Sequence, residues 1–264
     1  MPDNFYPRRI VCLAAEAPEI LDHLGVLDRV VAVSGFTRRP EAARRLPKVG
    51  GFANADADKV LSHRPDLVIT ISDIQADIAA TLIRRGTPVL ALNPHRLDDI
   101  WRSILLVGGA VGRQREAHQL VATLQSQLET LRADVAIRPR VYFEEWCDPL
   151  ISGIGWVDDL IHLVGGQSIF PELADRGLAA QRIVSPEAVI AARPNVIIAS
   201  WCGKKADLNA ICTRPGWETL PAVQNGRVYE IHSDQILQTG PVIVEGARAL
   251  KLMLDAAQKD GIDG

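Results

Sequence analysis

The sequence predicts an α/β fold of two lobes, each a mostly parallel sheet with helices on both faces, joined by a long helical segment. Three observations predict it. Short apolar runs alternate with helical stretches in both halves of the chain. A sustained helical periodicity fills the middle, from Leu97 to about Val135. Finally, VLSHRPDLVITISD (60–73) is echoed by VIAARPNVIIASWC (189–202). Both read as an apolar pair, two variable residues, Arg-Pro-Asp/Asn, then an apolar strand with a polar tail. Helix–Arg-Pro–strand units recur in α/β chains, so chance repetition is the competing account of the echo.

The first lobe begins with Arg9–Ala14 (RIVCLA), a continuous apolar run of the kind buried on both faces of a sheet. A helix follows at about Pro18–Leu24, ended by Gly25, and Val30–Val33 is a second strand. Asp56–Ser62 reads as a helix with Asn54 or Asp56 as its N-cap. Leu67–Thr70 is a strand, Asp77–Arg85 a helix closed by Gly86, and Val89–Leu92 a strand. In the middle segment, Ile100, Ile104, Val107 and Val111, then Leu120, Leu124, Leu128 and Leu131, keep helical spacing. Gly108, Gly109 and Gly112 mark a break. The ~20 residues after it would span about 30 Å, a length expected of no other segment. In the second lobe Arg140–Glu144, Val196–Ala199 and Val228–Ile231 read as strands. Trp156–Leu163, Pro186–Ala192 and Pro241–Ala257 read as helices. The expected division is 1–97, 98–136 and 137–264.

A chain of 264 residues carries ample core for two lobes. With a net charge of −3 and scattered arginines, composition gives no case for a nucleic-acid partner. The pairs Arg38-Arg39, Arg44-Arg45 and Arg84-Arg85 read as solvated surface. The longest apolar run, Ile104–Val111, is too short to span a membrane, so no direct membrane insertion is expected. The N-terminal stretch shows no signal-peptide pattern and no lipobox. Localisation is therefore periplasmic or extracytoplasmic if a signal was removed, and cytoplasmic otherwise. Four cysteines without C-x-x-C spacing make no disulfide framework, and Cys12 reads as a small core residue.

In open parallel sheets, ligands bind outside the carboxyl ends of the strands. That rule selects Glu16, Phe36 and Ser72 in the first half, and 144–149, 200–205 and 232–235 in the second. Trp146 and Trp201 fall on these loops and Trp156 lies close by, offering flat apolar faces with an N–H handle. Packing of each ring between loop and lobe is the alternative. WCGKK (201–205) superficially resembles a dithiol redox centre, but Lys205 stands where the second cysteine would be. A nucleophilic Cys147 or Cys202 with His232 as base, or zinc on Cys147, Cys202, Cys212 and His232, lacks supporting local spacing. Glu144 and Glu145 diverge if their strand continues, so solvation or lobe-closing salt bridges suit them better than paired acid–base chemistry. GGAVG (108–112) lies in a helical pattern rather than after a strand, and is no dinucleotide fingerprint.

The chain also resembles a known family. RRIVCLAAEAPEILDHLGVLDRVVAVSGF and LPKVGGFANADADKVLSHRPDLVI are similar to the first lobe of substrate-binding proteins of ABC importers for vitamin B12 and iron-siderophores, the helical-backbone metal-receptor class. The likeness continues through LNPHRLDDIWRSILLVGGAVGR, EEWCDPLISGIGWVDDLIHLVGG and RPGWETLPAVQNGRVYEI, and covers nearly the whole chain. It is nearest to the B12-binding branch through DPLISGIGW and PGWETLPAVQNGRVY.

The resemblance implies two Rossmann-like lobes of the class III periplasmic-binding-protein fold. It implies a monomeric, non-enzymatic receptor that holds a corrinoid or another metal chelate in the inter-lobe cleft, with no intrinsic cofactor. It implies an ABC permease as partner, met by one acid per lobe, here Asp77 and Glu218. The expected ligand wall is Glu16, Phe36, Ser72, Trp146, Cys147, Trp156, Trp201, Lys204, His232 and Asp234. An iron-siderophore or haem receptor, a cytoplasmic corrinoid- or metal-complex-binding relative, and a cysteine-dependent enzyme are the alternatives.

Overall fold

The computed structural model describes residues 5–259 and 261, so Met1–Asn4 of the signal-peptide reading lie outside the described residues. Two compact units account for the rest. The first holds residues 5–94, 99–125 and 239–241, and the second holds 95–98, 126–238 and the remainder from 242. The stretch 98–136 divides between them rather than standing alone.

The first unit runs β1 (Ile10–Cys12), α1 (Ala17–His23), β2 (Val30–Val33), α2 (Glu41–Arg44), α3 (Ala57–Ser62), β3 (Leu67–Ile71), α4 (Ala76–Arg84) and β4 (Val89–Leu92). Most of α5 (Leu97–Val111) and of α6 (Gln114–Glu129) follows. Its sheet is wholly parallel in the order β2-β1-β3-β4. Continuous apolar sequence gives buried strands: every residue of β1 and of β3 is buried. Asp56 is the N-cap of α3 and accepts from the amides of Asp58 and Lys59, while Asn54 accepts from Gly51 N–H instead. Helix α5 buries Ile100, Ile104, Val107 and Val111. It stops at Gly112, whose φ of +73° suits glycine and turns the chain into α6. The buried guanidinium of Arg29 donates to the carbonyl of Val111 at 3.0 Å, satisfying the end of α5.

The second unit runs β5 (Arg140–Cys147), β6 (Leu150–Ser152), α7 (Gly155–Leu163), β7 (Gln167–Ser168), α8 (Pro186–Ala192), β8 (Val196–Ala199), α9 (Leu208–Cys212), α10 (Pro221–Gln224), β9 (Val228–Glu230), α11 (Ser233–Ile236) and α12 (Ile243–Lys259). The sheet order is β6-β5-β8-β9, with β7 also paired to β5. All pairs are parallel except β5–β6. Its core gathers Tyr142, Ile197, Trp217 and Leu220, with Tyr142 edge-on to Trp217 at 5.9 Å between centroids.

The sequence echo has a structural counterpart. Arg64 and Arg193 both end a helix with positive φ, at 49° and 47°, each just before its proline. Asp66 then accepts the amides of Arg8 and Arg9 before β1, at 2.7 and 2.9 Å. Asn195 accepts the amide of Arg140 at the start of β5, at 2.9 Å. Arg9 donates through Nε to the carbonyl of Arg64, and Arg140 through Nε to that of Arg193, each at 3.1 Å. The same set of contacts therefore sits at the amino edge of each sheet.

Two expectations are corrected. The helix after the glycine break has 16 residues, about 24 Å, and stops at Glu129 rather than near Val135. The amide of Ala133 is already taken by the carbonyl of Leu163. Nor is its length unmatched, because α12 has 17 residues. Strand β5 does not end at Glu144 but runs on to Cys147, because β6 folds back antiparallel and supplies it with partners.

Candidate functional site

In the first unit, β1 connects outward to β2 on one side and to β3 on the other, so the order reverses between β1 and β3. Such a switch point leaves a crevice beyond the carboxyl ends of those two strands. The amide of Gln75, almost fully buried, fills it. Nε2 donates to the carbonyls of Leu13 and Phe52 at 3.2 and 3.1 Å, and Oε1 accepts from Ile71 N–H at 2.9 Å. Gln75 thus ties the ends of β1 and β3 to the 50–52 loop. Gly50 makes that loop possible, since at φ +141° a Cβ would come within 2.6 Å of Ala55 Cα.

Around this latch stand the three residues expected there. Ser72 takes φ 55° and has a buried hydroxyl without a hydrogen-bond partner. Phe36 keeps 38% of its surface exposed. Glu16 is buried and accepts from the hydroxyl of Thr239 at 2.8 Å. Burial pushes the Glu16 carboxyl above its ordinary value, against the lowering effect of its backbone hydrogen bond and of Thr239.

The second unit reverses its order between β5 and β8, and a charged network occupies that switch point. Glu144, fully buried, accepts from Trp201 Nε1 at 2.9 Å and from both terminal nitrogens of Arg214. Burial alone would lower the pKa of the Arg214 guanidinium, but the hydrogen bonds and charge of Glu144 outweigh it and raise that pKa. Arg214 also stacks over the indole of Trp217 at 4.5 Å. Burial and the charge of Glu144 hold the Tyr142 hydroxyl well above its ordinary value.

Glu145 points to the other face and pairs with buried Arg182, which also donates to the carbonyl of Ser152. The two acids therefore diverge as the strand geometry requires, but neither is solvated or lobe-closing as expected. Each is held by an arginine of its own unit, because an unpaired buried carboxylate would be too costly.

Beyond this base the edge opens. Lys204, exposed on the loop after β8, holds its ammonium 4.6 Å from the ring centre of half-buried Trp146 and 4.7 Å from that of buried Trp201. The same Nζ lies 3.6 Å from Cys147 Sγ. His232, exposed, places Nδ1 2.6 Å from Asp234 Oδ1 at the start of α11. Trp146, Cys147, Trp201 and Lys204 are thus brought together. Trp156 stands apart from them: it is 7% exposed and donates its N–H to the carbonyl of Ile236 at 2.9 Å. Asp77 and Glu218 are both exposed, in the first turn of α4 and in a short 3₁₀ turn at Trp217–Thr219.

The thiols do not assemble a catalytic or metal centre. Among the described residues no three His, Cys, Asp or Glu side chains gather to hold a metal, so the Cys147/Cys202/Cys212/His232 set does not form. Cys202 is exposed as a residue, yet desolvation of its thiol, with the charge of Glu145, pushes its pKa up. That is the opposite of an activated nucleophile. Among the described residues no helix is long and apolar enough to cross a membrane. Sequence reading passed over Gln75, Arg182 and Arg214. Gln75 and Arg182 belong to no local pattern, Arg214 only opens the RPGWETL stretch, and each acts on a residue distant in the chain.

Known proteins fit this architecture along nearly all its length. A substrate-binding lipoprotein of an ABC transporter from Bacillus subtilis, YvrC, is 28% identical over 92% of this chain and 79% of its own. A vitamin B12-binding protein of Vibrio vulnificus is 27% identical over 88% of this chain and 85% of its own. The solved structure of the periplasmic heme-binding protein RhuT from Roseiflexus superposes with a TM-score of 0.81 at 26% identity, covering 95% of this chain and 99% of that one. These are binding and transport proteins, not enzymes. The family described as periplasmic binding protein matches residues 10–235, and the chain belongs to it.

Proposed function

We propose that this protein captures a corrinoid, a cobalamin-like ligand, and delivers it to an ABC permease from an extracytoplasmic position. The observation that carries the reading is the pair of indoles at the carboxyl edge of the second sheet. Trp146 and Trp201 flank one ammonium at 4.6 and 4.7 Å, and Glu144 fixes Trp201 from below. Flat apolar faces beside a few polar donors suit a large ring with amide edges. Ser72 and Glu16 contribute on the first unit, and Lys204, His232 and Asp234 on the second. Exposed Asp77 and Glu218 serve as docking acids for arginines of the permease. The vitamin B12-binding relatives support the ligand class. Titration with cobalamin while following tryptophan emission tests the reading. Quenching with a dissociation constant in the micromolar range or below is expected, and no response up to ~100 μM, about 5.5 kcal/mol, would refute it.

A second reading, a haem receptor, draws on His232. The Asp234 carboxylate and amide engage one imidazole nitrogen and leave the other for a metal. A haem Soret shift that disappears in His232→Ala, with no cobalamin response, would select it.

A further inference from the structure

The arginine pairs near residue 40 read as solvated surface in the sequence, but their placement says more. Strand β2 ends at Val33, and the chain returns alongside it: Val33 bridges to Lys48, and Gly35 N–H donates to the carbonyl of Gly50 at 2.8 Å. This return sets Lys48 beside the carboxyl end of β2 and against α2, where its Nζ reaches the carbonyl of Ala43 at 3.4 Å. Arg38 lies two residues beyond the exposed ring of Phe36, after buried Thr37, and Arg44 closes α2. Desolvation, then the charges of Arg38 and Arg44, lower the Lys48 ammonium below its ordinary value, so both arginines lie within electrostatic reach of Lys48. None of the three is paired with a carboxylate among the described residues. The one acid of α2, Glu41, is taken by Arg45 at 3.0 Å. Three like charges gathered without a counter-charge, in a chain of net charge −3, form a site for an anion.

We infer that Arg38, Arg44 and Lys48, beside Phe36 at the carboxyl edge of the first sheet, bind an anionic oxygen group of the ligand, a phosphodiester or a carboxylate. The inference rests on the ligand reading above and narrows it, because ring systems of equal shape would be separated by their acidic appendages. Guanidinium groups suit such oxygens through paired hydrogen bonds.

Corrinoids that differ in this feature test it. Cobalamin carries a phosphodiester on its nucleotide loop, cobinamide has the ring without it, and haem carries two carboxylates. The wild type is expected to bind cobalamin about tenfold more tightly than cobinamide, with a preference that weakens as salt rises. In Arg38→Gln/Arg44→Gln the preference should vanish, with cobinamide affinity and thermal stability unchanged. If haem is the ligand, the same variant should lose about tenfold in haem affinity. Equal binding of cobalamin and cobinamide by the wild type, or an unchanged cobalamin affinity in the variant, overturns the inference and leaves the corrinoid reading intact. Inorganic pyrophosphate alone keeps the two claims separable if no tetrapyrrole binds. Protection of Arg38 and Arg44 from phenylglyoxal by pyrophosphate supports the anion site, and no protection overturns it. Loss of binding to phosphatidylglycerol vesicles in the variant, with ligand affinity unchanged, would assign the cluster to a membrane surface and also overturn it.

Discussion

Trp201 donates its indole N–H to Oε1 of Glu144 at 2.9 Å, and that carboxylate has no exposure at all. Its charge is answered by Arg214, so removing the arginine strands it. Arg214→Ala is expected to lose about 3 kcal/mol in urea denaturation, while Glu144→Gln/Arg214→Met recovers most of the loss. A single variant as stable as the wild type would show that Glu144 is not held by this pair.

The same arrangement separates the roles of the two indoles. Trp146 is half-buried and Trp201 is held by Glu144. Trp146→Ala should weaken cobalamin binding by about tenfold and leave the melting temperature nearly unchanged. Trp201→Phe, which removes the N–H, should lower stability by about 1 kcal/mol. Reversed outcomes would exchange the assignments.

Glu16 gives a pH dependence with a definite sign. Its pKa is raised, first by burial, so the folded chain holds that proton more firmly than the unfolded one. The stability this contributes is fully present below the ordinary value of 4.5 and is lost as pH rises through the higher folded value. Glu16→Gln cannot ionise and keeps an acceptor for Thr239. It should match the wild type near pH ~4 and exceed it near pH ~7, with the gap opening between them. Parallel melting curves across that range would contradict the burial argument.

The amino-edge contacts make a paired prediction. Asp66 accepts two amides and Asn195 one. Asp66→Ala and Asn195→Ala should each destabilise by about 1 kcal/mol, the aspartate more because its bonds are charge-assisted. Equilibrium unfolding of the two single variants measures both.

Gly108 faces Ala117 across the α5–α6 turn, so closely that a Cβ at 108 would overlap that of Ala117. Gly108→Ala should lose about 1–3 kcal/mol, and Gly108→Ala/Ala117→Gly should recover a large part of it. No recovery would place the strain at the carbonyl of Arg113, the next atom met.

The elements of the fold were legible wherever a short, mostly apolar run stands between polar or turn-forming residues, whatever its final burial. Val30–Val33, Val89–Leu92, Pro186–Ala192 and Val196–Ala199 were read to the residue. The ends of β5 and α6 were not: β5 is prolonged by its hairpin partner β6, which the mixed polar sequence EEWCDP does not announce, and the chain past α6 is held by Leu163, distant in sequence. At the candidate site, the loop positions followed from strand direction alone. What those side chains touch did not follow, since Arg182 and Arg214 reach Glu145 and Glu144 across 37 and 70 residues. The acids of EEW, expected to diverge into solvent or into lobe-closing salt bridges, do diverge and are two charges separately neutralised within one unit.

The contacts around Arg64 and Arg193 are made chiefly with backbone amides and carbonyls. They leave the opposite edge of each sheet free to change. One of those edges carries cations beside a phenylalanine, and the other carries indoles over a buried ion pair. A frame latched at one rim by main-chain chemistry is a substrate for evolution: its specificity can drift residue by residue at the other rim without the architecture being rebuilt.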